Sequence, residues 1–464
     1  MFLSRLVRAL GAAVLAATAF SLAQGQPKPV DASAYPSLQA AIDANPGRQI
    51  QLPTTEYVIN TALRITRDNT ELFGPARIVQ SNPREPMVRI DHAKSVRLSG
   101  LTFTRSAGNQ DTDQNGIEIL DSSDVEISQV RVSENHTRAS IYARSSADVT
   151  VQGCVIVNYK GITVDDRTAS PLYGYAFKAI DGSGIQFRDV DGVVIRDNRI
   201  QEFRFLPTRA IRDHYDLGTL TVVPEVPGQL GDPDIMANKY TNNWHQGAGI
   251  QVTGPMVSKR VILSGNYIEN AAQGMDVHAD NVIVSGNIIS HAMIGYKSMH
   301  GAKNVLLDGN QFNYVDLWGI LLMPGAASHV SSNAGTDGKP EVENTDGGHI
   351  VSNNIFSNFG FGEQHWNWAD RKSAYPERNV IAILFGQVPE NPPIRNVLIT
   401  GNQVYDSGRD TVLLDGKWVQ AEPRYHYALY VEQVRQPAPV NVQVHGNLFD
   451  AGFEGVTNIP ADKL

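Results

Sequence analysis

Hydrophobic positions along this chain alternate in short bursts, each closed by Gly, Asn or Asp, and the bursts recur. The pattern V-x-[ILV]-x-G-N-x-[IFV] begins at Val261, Val282, Val305 and Val397, with variants at Val96, Val149, Val193, His349 and Val442. A second pattern, G-[IM]-x-[VILF], begins at Gly116, Gly161, Gly184, Gly249, Gly274 and Gly319, and more loosely at Ser140 and Gly295. Successive starts of the second pattern lie 24, 21, 23, 65, 25, 21 and 24 residues apart, so the long interval holds one unit and an insertion. Alternation with period two predicts strands. Strands this short cannot bury a face alone, so the units must stack into a continuous core. The reading is all-β: a single-stranded right-handed parallel β-helix, with Asn266, Asn287, Asn310 and Asn402 recurring at one turn so that their amides can bond along the stack. A leucine-rich repeat shares the period but needs a Leu-x-x-Leu-x-Leu frame that is missing, and a propeller blade needs about 40 residues.

The ends and interruptions fill in the layout. Arg5 and Arg8 precede an uncharged apolar stretch from Ala9 to Leu22, and Ala23-Gln24-Gly25 offers small residues for cleavage. Residues 1–25 therefore read as a secretory signal, with 26–464 a single domain in the periplasm or outside the cell. Tyr35 to Ile42 suits a short amphipathic cap helix with Ser37 as N-cap. Insertions are expected at about 201–248, 324–348 and 360–378, where long loops would wall a groove.

Charge and composition narrow the function. Net charge is −9, or −9 − 2 = −11 without the two leader arginines, which disfavours nucleic acid as partner. No second segment is long and apolar enough for membrane insertion. The single cysteine, Cys154, excludes an intrachain disulfide and a cysteine-based zinc site. It sits at the Asn position of the G-N turn and is expected inside.

In the G-[IM]-x-[VILF] strands the third and fifth residues should face solvent. The third positions read Glu118, Tyr142, Thr163, Gln186, Gln251, Asp276, Lys297 and Leu321; the fifth read Leu120, Arg144, Asp165, Arg188, Thr253, His278, Met299 and Met323. With rungs about 4.8 Å apart, Asp276, His278 and Lys297 come within reach of one another, with Gln251 and Arg188 nearby. The first insertion ends in Trp244-His245-Gln246, and Trp366 and Trp368 beside His365 in a later one are candidates to stack on sugar faces, or equally to be loop core. As exposed groups on a rigid stack, Lys297 and His278 are expected to tolerate truncation with little loss of stability.

The stretch from Tyr35 into Leu52-Pro-Thr-Thr-Glu-Tyr-Val-Ile resembles the start of the pectate-lyase-like (pectin-lyase-like) solenoids. The run from Gly274 to Asn287 is similar to the Asp-Pro-His segment of bacterial mannuronan C5-epimerases, with Val277 where they carry Pro. The run from Ile294 to Val305 resembles the segment with their charge-neutralising base, and more closely the alginate lyases of polysaccharide lyase family 31 and their sphingan-lyase relatives. The resemblance implies a lyase on a uronate polymer, working by C5 proton abstraction and β-elimination, with C5-epimerisation as the alternative outcome. Both need a base at H5 and neutralisation of the carboxylate. Lys297 and His278 divide those catalytic roles in this reading, and Asp276, Gln251, Arg188, His245 and His300 bind the acidic polysaccharide. No cofactor is expected, although a calcium-dependent lyase could use the acids as ligands. A hydrolase would instead pair carboxylates such as Asp165, Asp166 and Asp189, and a glycan-binding protein would do no chemistry.

Overall fold

The computed structural model describes residues 28–136, 138–166, 175–215, 217, 220–222, 245–254, 257–299, 301–323, 346–360, 378–384, 393–405, 412–419, 423–432 and 438–460. Strand pairing builds a stack of coils in which each strand lies parallel to the equivalent strand one coil away. Three ladders result. The first holds Ile117–Leu120, Ala248–Thr253 and Asn379–Ile383, the second Ser123–Ser128, Lys259–Ser264 and Asp280–Ser285, and the third Arg131–Ser133, Val155–Val157 and Arg199–Gln201. Inward residues from all three make one continuous core. This is a parallel β-helix. At its start, the helix Leu38–Ala44 packs over the first coil, and the Ser37 hydroxyl accepts from the Ala40 N–H at 3.1 Å, as its N-cap position demands.

The two sequence patterns meet at the corner between the third and first ladders. A methyl group on Gly249 would come within 2.5 Å of Ile268 Cγ2, and Gly184, Gly274 and Gly319 face Ile200, Ile289 and Phe356 in the same way. The motif glycine is thus required by the large side chain of the third strand, which fills the space beneath it.

The turn asparagines form a longer ladder than the strict motif suggests. Asn198, Asn266, Asn287, Asn310, Asn354, Asn402 and Asn447 follow one another, each Nδ2 donating at 2.9 Å to the next Oδ1. Cys154 continues the column on the N-terminal side. It is fully buried, its N–H donates to Asn198 Oδ1, and burial pushes the thiol up to about 11, so it is inward as expected. In the middle of the ladder, Asn310 Oδ1 accepts from both the backbone N–H and the amide of Asn287. Asn310→Ala is expected to strand these buried donors and cost about 3 kcal/mol in urea denaturation, each unsatisfied group being worth about 1–3.

One coil departs from the sequence reading. Gly161–Asp166 leaves the solenoid and pairs antiparallel with Tyr175–Asp181, while Ala139–Gln152 pairs directly with Ser183–Arg196. Thr163 and Asp165 therefore lie off the first ladder. The GITVD segment has the local pattern of a rung, but its edge is taken by a hairpin partner that the repeat does not announce.

Candidate active site

Register along the first ladder is continuous. Arg64, Arg89, Glu118, Tyr142, Gln186, Gln251, Asp276, Lys297, Leu321, Ala382 and Tyr430 are successive partners. Two positions further on, Leu120, Arg144, Arg188 and Thr253 form a parallel row. The side chains that the sequence placed together do meet.

Asp276 is the hub. Its Oδ1 accepts from His278 Nε2 at 2.7 Å and from the Lys297 ammonium at 3.1 Å, and its Oδ2 accepts from Gln251 Nε2 at 3.0 Å. Gln251 is itself held by Gln186, whose Nε2 donates to Gln251 Oε1 at 2.5 Å. Burial alone would raise the Asp276 carboxyl, but the neighbouring His278 and Lys297, with the bonds from His278 and Gln251, hold it far below the usual carboxylate range. The group is a fixed anion. Nε2 is the ring nitrogen of His278 that faces Asp276.

Exposure corrects one expectation. Asp276 and His278 face away from the core yet are buried, at 3% and 5% exposure, and the Lys297 side chain keeps 17%. The third- and fifth-position side chains beyond Lys297 are buried too: Leu321, Met299 and Met323 join Trp318, Ala382 and Leu384 in an apolar cluster separate from the interior core. Period-two alternation fixes which face a residue takes, not what covers that face. Truncating His278 will therefore cost stability, contrary to what an exposed site would give.

The remaining candidates divide. Arg188 stands on the ladder with its side chain 65% exposed, beside Asp189. His245 does not join this group: it is fully buried, with Nε2 at 2.6 Å from Lys160 Nζ. Sequence reasoning missed Lys160, which is also fully buried. Burial lowers its ammonium to about 7 against the opposing pull of Glu202 and Asp181. No repeat position marked it, because the pair is made between the flanks of two excursions from the solenoid. His300, Trp244, His365, Trp366 and Trp368 lie outside the described residues, as do the side chains of Asp165 and Asp166. Among the described residues, Asp91, His92 and Asp121 could bring three ligand atoms within 4.8 Å of one another for a metal, but they are largely solvent-facing and four to five rungs from Asp276. A cleft of about 420 Å³ is lined by Asp121, Ser146, Asp189, Asp191 and Val257, and its Asp189 is the ion-pair partner of Arg188; Asp276, His278 and Lys297 are not among its lining residues.

Residues 86–205 match the family described as right handed beta helix region. The fold is a right-handed parallel β-helix. A search of curated protein sequences found no match. Among solved structures, the chain is similar to a PL6 alginate lyase in complex with a trisaccharide, at 12% identity and a TM-score of 0.54, covering 92% of this chain and 80% of that one. It is similar to the Agl-KA catalytic domain at 11% identity and TM-score 0.53, covering 93% and 68%. It is also similar to PfbA, a surface adhesin of Streptococcus pneumoniae, at 12% identity and TM-score 0.53, covering 94% and 95%. Similar solenoids thus include a lyase and an adhesin, so chemistry has to be argued from the Asp276 centre.

Proposed function

We propose that the protein is an exported polysaccharide lyase that cleaves a uronic-acid polymer by removing H5 and eliminating the 4-O-linked sugar. The observation that carries this is the ionised, buried Asp276 holding Lys297 and His278 on adjacent rungs of a polar β-surface. Lys297, the most accessible of the three, places its ammonium against the uronate carboxylate and withdraws the charge that builds at C5. His278, with Nε2–H donating to Asp276, takes H5 on Nδ1. The C5–H electron pair becomes the C4–C5 double bond, the C4–O bond breaks, and the imidazolium gives its proton to the departing oxygen. Asp276 stays ionised throughout and orients both partners, with Gln251 and Gln186 behind it.

A glycoside hydrolase needs a carboxylic acid able to donate a proton and a second carboxylate opposite. Asp276 is held as an anion by three donors and cannot serve as that acid, which favours elimination. The experiment is to incubate the protein with alginate, glucuronan and gellan-type polymers and follow ultraviolet absorbance of unsaturated uronates. We expect absorbance to rise with at least one polymer; a flat trace with all of them, alongside altered uronate stereochemistry, would reassign the centre to epimerisation.

A further inference from the structure

The first ladder changes character at Lys297. On the N-terminal side its outward residues are polar: Gln251, Gln186, the half-buried Tyr142, and beyond them the Glu118–Arg89 ion pair at 2.8 Å and the exposed Arg64. The neighbouring row adds Arg188 and the exposed Arg144, which are direct register partners. Burial raises the Tyr142 hydroxyl, Arg144 and Arg188 pull it down, and Glu118 and Asp189 add smaller upward pushes. An aromatic ring with two cations beside it suits the face and carboxylate of a uronate two to three rungs, about 10–14 Å, from Asp276.

On the other side the next two rungs carry no polar side chain on this ladder among the described residues, and Tyr430 follows only after them. The next outward residue, Leu321, is 1% exposed, and Ala382 after it is fully buried. Met299, Met323 and Leu384 seal the same face against each other. A hydrated anionic chain cannot run over buried methyl and thioether groups without losing its solvation uncompensated.

We infer that the groove is one-sided: the polymer lies along the Arg144–Arg188 side and presents a chain end at Lys297, so cleavage proceeds from that end. This deepens the lyase reading and rests on it, but the shape of the groove can be tested separately. With the best polymer, the time course should give a short unsaturated product of one size while viscosity lags behind absorbance. Binding of oligouronates carrying a bulky fluorophore on either the reducing or the non-reducing end should show one form rejected at least 10-fold relative to the other. Arg144→Ala should raise KM more for long oligomers than for the shortest one cleaved. An early fall in viscosity with mixed oligomers, or equal binding of both labelled forms, would overturn the one-sided groove and leave the elimination chemistry standing. If no polymer yields unsaturated product, the elimination reading fails, and the labelled-end comparison still decides whether the groove is closed.

Discussion

Replacing Lys297 with methionine lowers turnover by at least about 10²-fold on the best polymer, because the variant keeps the unbranched stem and loses the ammonium that faces the substrate carboxylate and contacts Asp276. His278→Gln should fall as far. Glutamine can still donate to Asp276 but has no lone-pair nitrogen to take H5. The two variants separate roles: near-normal turnover in His278→Gln would make His278 a positioning residue and leave Lys297 as the catalytic one. Asp276→Ala is a different experiment. It removes the partner of a nearly buried imidazole and ammonium, and breaking such a pair costs about 3–5 kcal/mol of stability. Initial rates and thermal melts measured together distinguish lost chemistry from lost fold. If Lys297→Met and His278→Gln both retain normal rates with intact melts, the chemistry is not at Asp276.

His349→Val is expected to give the largest change in acid stability. The second ladder carries a column of inward valines in register: Val96, Val125, Val149, Val193, Val261, Val282, Val305, then His349, then Val397 and Val442. His349 alone in this column is polar. It is fully buried, and neither ring nitrogen has a hydrogen-bond partner among the described residues. Burial therefore lowers its pKa from 6.5 to about 4. The unfolded chain takes up the proton before the folded one does, so the contribution is intact above pH 6.5 and is lost as pH falls toward 4. Between pH 7 and pH 4 this single group should remove about 3 kcal/mol of stability. Valine fits the column and has no proton to bind. Denaturation midpoints of wild type and His349→Val should diverge steadily below pH 6.5; parallel curves would show that the imidazole is solvated.

Sequence pattern carried a great deal of this molecule because a stacked coil repeats its own register. Once the glycines aligned, Gln251, Asp276 and Lys297 had to be neighbours, and the structure places them so. Cys154 was readable for the same reason: it occupies a column whose other members all turn inward. What the repeat does not encode is what lies over its outer face. Leu321 and Met299 looked like solvent-facing positions and are packed in a second apolar cluster, and His278 is buried as well. Nor does the repeat encode contacts between excursions. His245 sits in the right stretch to join a groove but is claimed by Lys160, 85 residues away in sequence. Gly161–Asp166 failed as a rung because an antiparallel partner competes for its edge.

The most direct test of the Asp276 centre is proton NMR of the polymer after incubation. β-Elimination predicts an olefinic H4 signal on newly formed non-reducing ends, absent with Lys297→Met. New reducing ends without an olefinic signal, or a polymer that is bound and unchanged, would contradict it.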